Sequence, residues 1–218
     1  MITTEAFFKD AAGYYRAQPL EALGWLEHGF GTKAAQWPEN GRIATLKQIH
    51  SDICVAAGGR AGCLGEGDAL LENKAGRLVG VKTADCLPIL IVDERLRAVA
   101  AVHAGWRGSA RQIAARAVDA MRREFGSRPE DLHAALGPGI GACCYEVGAE
   151  VAAACGIPAD GPVRLNLVQI NRRQLRGAGV DPSRIYSADL CTRCRSEFHS
   201  FRRDGDRAGR MISFAGVR

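Results

Sequence analysis

The sequence predicts an α+β fold, with one domain over residues 1–218. Three observations carry that expectation. Apolar runs of strand length outnumber helical stretches. The two kinds follow one another in mixed order rather than as strict βαβ units, and no low-complexity linker or repeat of fixed period divides the chain. With 218 residues, 47% hydrophobic and 24% charged, the chain has an ordinary globular composition and can bury a core without staples.

Met1–Ala22 gives no single signal and fits a short strand with a helical turn. Trp25–Phe30 (WLEHGF) reads as a strand closing at Gly29-Phe30-Gly31. The polar loop Thr32–Gly41 follows, with Pro38 and the turn dipeptide Asn40-Gly41. Arg42–His50 (RIATLKQIH) alternates as a strand, with Ile43, Thr45, Lys47 and Ile49 on one side and His50 at its end. Ile53–Ala57 is a short strand. Gly58–Gly67 holds five glycines in ten residues but lacks the strand–GxGxxG–helix setting of a phosphate loop, so a flexible surface connection is expected. Asp68–Leu71 leads to a further turn.

The centre of the chain is Val79–Gly108. Its apolar, β-branched run CLPILIVD is too short for a helix and closes on the turn Asp93-Glu94-Arg95. Arg97–His103 (RAVAAVH) returns as a second strand, ending in a Gly-x-x-Gly bend at Gly105–Gly108. An antiparallel pair places the start of one strand beside the end of the other, so Cys86 and His103 are expected to be neighbours. Ser109–Phe125 is the clearest helix. Ile113, Ala117, Met121 and Phe125 recur every four residues, charged residues fill the other face, and Gly126 and Pro129 end it. Beyond it, Leu132–Leu136 is a buried strand, Gly137–Ala142 a tight loop and Gly148–Cys155 a short helix. Val163–Leu167 reads as a strand and Leu167–Gly177 as a helix, before strands from Arg184 to Ser187 and from Met211 to Val217.

Composition excludes several classes. No apolar run approaches 18 residues, so no membrane helix is expected. MITTEAFFKDAAG lacks a basic segment followed by an apolar one, so the expected location is cytoplasmic. Net charge is +5, densest in Cys191–Arg210, which reads as a solvated face or an anion site. Aromatics are 6%, with no basic–aromatic interleaving, so no nucleic-acid partner is expected. Eight cysteines without a secretory signal read as reduced thiols rather than a disulfide framework.

His50, Cys86 and His103 each begin or end an apolar strand, where side chains project from a sheet rim. Two imidazoles and a thiolate form a Zn2+ set that leaves the fourth tetrahedral position open, the catalytic form of a zinc site. Cu2+ is also compatible with these ligand types. A single histidine in such a place more often fills a hydrogen-bonded structural role. Cys86 and His103 also fit a Cys/His nucleophilic pair.

The segments TLKQIHSD, GVKTADCLP, AAVHAGWRG, LGPGIGACCYEVG, NRRQL and CTRC…FHSFRRDGDRAGRM, in this order, resemble the motifs of the YfiH-type family. These are laccase-domain proteins, once called multicopper polyphenol oxidases and now read as purine nucleoside enzymes. The resemblance runs from about Trp25 to the C-terminus, and the ADCLP and HAGWRG pair is its most specific part. It implies that His50, Cys86 and His103 bind zinc. It implies an α/β/β/α layered sandwich of mixed sheets, similar to the cytotoxic necrotizing factor catalytic domain, with the metal in a cleft at the sheet rim. It also implies phosphorolysis of adenosine, inosine and methylthioadenosine, with adenosine deaminase activity, by a monomer or homodimer. Two departures stand out. Lys33 of HGFGTK takes the place of a usual arginine, and only nine residues separate it from Ile43, so one pocket wall is expected to be shorter. Asn166 stands where an acidic residue is usual.

Other residues are weaker candidates. Asp85, next to Cys86, is a candidate acid/base or supporting group, provided the chain bends there against strand alternation. Arg107, four residues past His103 in a Gly-bounded turn, reaches either a phosphate or a salt bridge. Lys33 and the Arg202-Arg203 pair are candidate anion binders. Cys143-Cys144 reads as a buried structural pair. Cys191-x-x-Cys194 has redox or metal spacing, yet without a second CxxC no structural zinc knuckle is expected. Three readings compete with the phosphorylase: a copper polyphenol oxidase, a Cys86–His103 hydrolase or deamidase acting on peptidoglycan precursors, and a non-catalytic binding module. Five histidines are few for several coppers.

Overall fold

The strands, in chain order, are β1 (Phe7–Lys9), β2 (Tyr14–Ala17), β3 (Leu26–Gly31), β4 (Ile43–Lys47), β5 (Cys54–Ala56), β6 (Gly62–Glu66), β7 (Ala69–Glu72), β8 (Arg77–Thr83), β9 (Leu87–Asp93), β10 (Ala98–Ala104), β11 (Leu132–Leu136), β12 (Glu146–Val147), β13 (Val163–Arg164), β14 (Ile185–Ser187) and β15 (Met211–Val217). The helices are α1 (Gln18–Glu21), α2 (Trp106–Ala110), α3 (Ile113–Phe125), α4 (Ala149–Ala154), α5 (Leu167–Gly177) and α6 (Phe201–Asp204). This computed structural model describes residues 6–39 and 41–218. Of Met1–Ala22, where a short strand and a helical turn are expected, residues 1–5 lie outside the described residues and the remainder carries β1, β2 and α1; the expected Asn40-Gly41 turn rests on Asn40, which also lies outside them.

The strands form two mixed sheets. The first runs β1-β2-β3-β15-β8-β4-β6, the second β14-β11-β9-β10-β7-β5, and β12 pairs with β13 apart from both. Most neighbours are antiparallel; β4 runs parallel to both β6 and β8, β5 to β7, and β11 to β14. The architecture is the expected α+β class. Alternation along β9 decides the layers. Leu87, Ile89 and Ile91 join α3 and α5 in one core, while Leu90 and Val92 face Leu46, Val79 and Ala215 of the first sheet in another. The helical cover is uneven: over the outer face of the first sheet lies a small cluster of Tyr14, Ile43, Leu78, Ile212 and Phe214, with Ala35 packed against it.

All seven residues of β9 and of β10 are buried. At roughly 1.5–3 kcal/mol for each large aliphatic side chain, this hairpin is a firm base for residues at its rim.

Several expected boundaries shift, each for a physical reason. The helix expected from Ser109 begins at Ile113, because Gln112 takes a left-handed φ of +63° and splits off the short α2. Asn171 of α5 holds that turn, donating from Nδ2 to Ser109 Oγ at 2.8 Å. The strand expected to run to His50 stops at Lys47, and its inward face is Ala44 and Leu46. Half of the expected glycine-rich connection is the edge strand β6, whose exposed side chains give no apolar alternation. Ala69–Glu72, expected only to lead to a turn, is itself a buried strand, and Arg77–Thr83 adds a strand ahead of the hairpin.

Candidate metal centre and pocket

In the β9–β10 pair His103 stands opposite Pro88 and Ala104 opposite Leu87. Cys86 precedes Leu87, so it lies beside the end of β10, as its spacing predicts. His50 comes from the other sheet. Past β4, Gln48 prolongs the contact with β8 through its side-chain amide, donating to the Lys82 carbonyl (2.8 Å) and accepting from the Lys82 N–H (2.7 Å). His50 then adopts a left-handed φ of +58°, which turns its side chain back toward the hairpin.

Asp68, fully buried just ahead of β7, holds this turn in place. Its carboxylate accepts the N–H groups of His50 (3.1 Å) and Ser51 (2.6 Å) and the Ser51 hydroxyl (2.6 Å). The same carboxylate lies 2.7 Å from His103 Nδ1. With Nδ1 committed to Asp68, the other ring nitrogen of His103 is left for Cys86.

The ligand atoms of His50, Cys86 and His103 all lie within 4.8 Å of one another. The two imidazole centroids are 4.9 Å apart. Gly105 leaves the cradle open: a Cβ there would sit 3.0 Å from Cys86 Sγ and 3.1 Å from His50 Nδ1. Burial alone would raise the Asp68 carboxyl, but hydrogen bonds from His103 and Ser51 bring it down to about 2. Burial would lower His103, yet Asp68 and then Cys86 raise it to about 9. Burial would raise the Cys86 thiol, and hydrogen bonds from His103 and His50 pull it down to about 6. These shifts favour the Asp68 carboxylate and the Cys86 thiolate, the form that binds metal or attacks carbon, and His103 must give up its Nε2 proton to act as a metal ligand.

This cluster opens into a cavity of about 600 Å3 at the mouth between the sheets. That volume suits a small-molecule ligand. Lys82, Arg107, Arg202 and Arg210 bring positive charge to it, and Trp106, Tyr145 and Phe201 bring flat apolar surface. Burial pushes the Tyr145 hydroxyl up to about 12, with Cys86 adding to the effect, so it stays protonated.

Of the expected residues, the structure brings His50, Cys86, His103, Asp85, Arg107 and Arg202 to the cavity. Asp85 has a left-handed φ of +86°, the bend that strand alternation required. Its carboxylate is fully engaged, accepting from Thr192 Oγ1 (2.6 Å), Ser200 Oγ (3.1 Å) and the Arg202 N–H (2.7 Å). Asp85 therefore organises the segment that carries Arg202. Arg107 makes no salt bridge among the described residues and stacks on Trp106 at 4.5 Å. Lys33 does not line the cavity; its N–H donates to the Glu197 carbonyl. Arg203 also turns away, binding carbonyls of Thr192 and Phe198. His133 is satisfied between Tyr186 and Glu94.

Sequence reasoning missed Asp68, Lys82 and Arg210. The cysteine expectations need correction too. Cys143 is exposed rather than buried, and Cys143, Cys144, Cys191 and Cys194 form a second group with sulfurs within 4.8 Å of one another. Among the described residues, no helix is long and apolar enough to cross a membrane.

Residues 31–218 match the family model described as multi-copper polyphenol oxidoreductase laccase. The chain is 39% identical over 210 residues to a purine nucleoside phosphorylase of Deinococcus radiodurans, covering 93% of this chain and 76% of that protein. It is 39% identical over 163 residues to the adenosine deaminase RL5 of an unidentified prokaryote, covering 69% of this chain and 61% of that protein. The crystal structure of the Bacillus licheniformis hypothetical protein YfiH superposes with a TM-score of 0.89 at 28% identity, over 97% of this chain and 99% of that one.

Proposed function

The chain belongs to the YfiH-type family of laccase-domain proteins, and from that premise we propose that it is a zinc-dependent purine nucleoside phosphorylase with adenosine deaminase activity. The substrates are adenosine, inosine and methylthioadenosine. The relatives named purine nucleoside phosphorylase and adenosine deaminase support an enzyme of this class. One observation carries the reading: an open three-ligand set stands at the edge of a nucleoside-sized cavity lined by basic side chains.

The donor set fits zinc. It offers one thiolate and two imidazoles, Asp68 fixes the His103 tautomer, and Gly105 leaves room where a Cβ would intrude. His50, Cys86 and His103 would hold the ion, which when bound supplies Lewis-acid polarisation at its open position. Phosphorolysis breaks the C1′–N bond, forms a C1′–O bond to phosphate, and leaves the base to take up a proton. Lys82, Arg107, Arg202 and Arg210 bind and orient the phosphate, whose charge also stabilises the oxocarbenium-like sugar. Trp106, Tyr145 and Phe201 hold the base, and Tyr145 offers it a hydroxyl donor. Asp85 acts through Arg202, as a positioning residue.

A second reading draws on one observation: Asp68, His103 and Cys86 also line up as an acid–imidazole–thiolate relay, the arrangement of a Cys–His hydrolase. His50 separates the two. For the metalloenzyme, His50→Ala loses zinc and phosphorolysis together, while Cys86 remains free to be alkylated. Full turnover in a chelated protein, abolished by thiol alkylation, would establish the hydrolase instead. The copper oxidase reading is weaker, because His28 and His133 are spent on Ala17, Tyr186 and Glu94, away from the cluster.

A further inference from the structure

The four cysteines Cys143, Cys144, Cys191 and Cys194 lie outside the cavity and have no part in the chemistry above. They come from two segments far apart in sequence. A parallel bridge between Gly139 and Cys191 joins the segments, with the Thr192 N–H donating to the Gly139 carbonyl at 3.1 Å. The turn Thr192-Arg193 then brings Cys194 back to Cys143 and Cys144, with sulfur separations of 3.7 and 3.3 Å. All four thiols are free.

We propose that these four cysteines bind a second, structural zinc ion, separate from the three-ligand site. A tetrahedral ion with Zn–S bonds of about 2.3 Å places its sulfurs about 3.8 Å apart. The observed separations, from 3.3 Å to within 4.8 Å, bracket that spacing. An iron–sulfur cluster needs its cysteines farther apart, and Mg2+ or Ca2+ does not take thiolates. The surroundings are built for the same purpose. Gly141 donates its N–H to Cys191 Sγ at 3.2 Å, and a Cβ at Gly141 would press on Cys143 Sγ at 3.2 Å. An ion with four thiolates carries a net negative charge. Two guanidinium groups stand against it: Arg203 binds the carbonyls of Thr192, Arg193 and Arg195, and Arg164 binds that of Cys143.

The ion would act as a staple on the pocket. One segment carries Ile140 and Tyr145 into the cavity wall; the other carries Phe201 and Arg202, together with the Thr192 and Ser200 that hold Asp85. Cys144 and Cys191 rest against the apolar core while Cys143 and Cys194 are exposed, so a metal cross-link would tie the outer ends of both turns together.

The test is metal content by mass spectrometry on protein purified under reducing conditions. It does not depend on any activity or on the three-ligand assignment. The wild type is expected to carry one more zinc than Cys191→Ser/Cys194→Ser. A His50→Ala/Cys86→Ala double variant is expected to keep one equivalent, and cobalt(II) in that variant is expected to show the intense sulfur-to-metal charge-transfer bands of a tetrathiolate site. If the Cys191→Ser/Cys194→Ser protein does not fold, the cobalt spectrum of the His50→Ala/Cys86→Ala protein decides alone. A His50→Ala/Cys86→Ala protein free of metal, a cobalt spectrum without thiolate bands, or a mass showing these cysteines joined as disulfides in the reduced preparation would overturn the proposal.

Discussion

Asp68 is the residue on which the site turns. It is fully buried, and it ties the His50 turn from one sheet to the His103 ring from the other. Asp68→Asn keeps the shape but offers an amide to His103 Nδ1, which favours the wrong tautomer. Zinc affinity is expected to fall by about 10–100-fold, measured by competition with a chromophoric chelator. An unchanged affinity would mean that His103 is oriented by its backbone alone. Cys86 and His103 could be read from sequence because they bracket one short hairpin. Asp68 could not: its partners are 17 and 35 residues away, and it follows a run of glycines with no periodic signal. Lys82 and Arg210 were invisible for a similar reason. Only the pairing of β8 with β15 brings their strand ends to the cavity.

At the scale of elements, apolar periodicity located the hairpin, α3, α5, β11 and β15. It failed where structure is held by polar contacts. The break at Gln112 follows from Ser109 being pinned by Asn171 and Gln174 of α5, in the NRRQL segment, and no local pattern announces it. The edge strand β6 exposes nearly all its side chains. His28 shows the reverse case, a polar group inside a strand. It is buried in β3, and its Nε2 accepts the Ala17 N–H of β2 at 3.0 Å. Burial lowers its pKa to about 3, with Arg16 and Arg218 contributing. The unfolded chain therefore binds a proton near pH 6.5 that the folded chain refuses. This stabilisation is complete above pH 6.5 and is lost as pH falls toward 3, by about 1.4 kcal/mol per unit. Urea unfolding at pH 7 and pH 5 should show a loss of about 2 kcal/mol that His28→Gln lacks. An equal loss in both proteins would place the acid sensitivity elsewhere.

For the whole molecule, the two sheets meet face to face and the site straddles their mouth, with His50 on one side and Cys86 and His103 on the other. An ion held by these three residues would link the two sheets. At a thousandfold excess over its dissociation constant, zinc would add about 4 kcal/mol, or on the order of 10 °C in melting temperature. The part of that shift owed to this site is the part lost in His50→Ala, read by scanning calorimetry. A His50→Ala protein with the full zinc-dependent shift would show that the ion does not bridge the sheets. The α+β class was readable from the balance of strand and helical runs. The layering of two mixed sheets was legible only through the family resemblance, since parallel neighbours such as β4 and β8 leave no mark in local sequence. The convergence of four cysteines depended on the same long-range pairing, through the bridge between Gly139 and Cys191.

The most direct measurement is product analysis. Metal-analysed protein would be incubated with adenosine and with inosine, each with and without inorganic phosphate, and the products separated by chromatography. Free base together with ribose 1-phosphate, formed only when phosphate is present, is the predicted result, with inosine appearing from adenosine in either condition. Both nucleosides surviving unchanged beside a zinc-loaded site would contradict the phosphorylase and direct attention to Cys86 as a nucleophile.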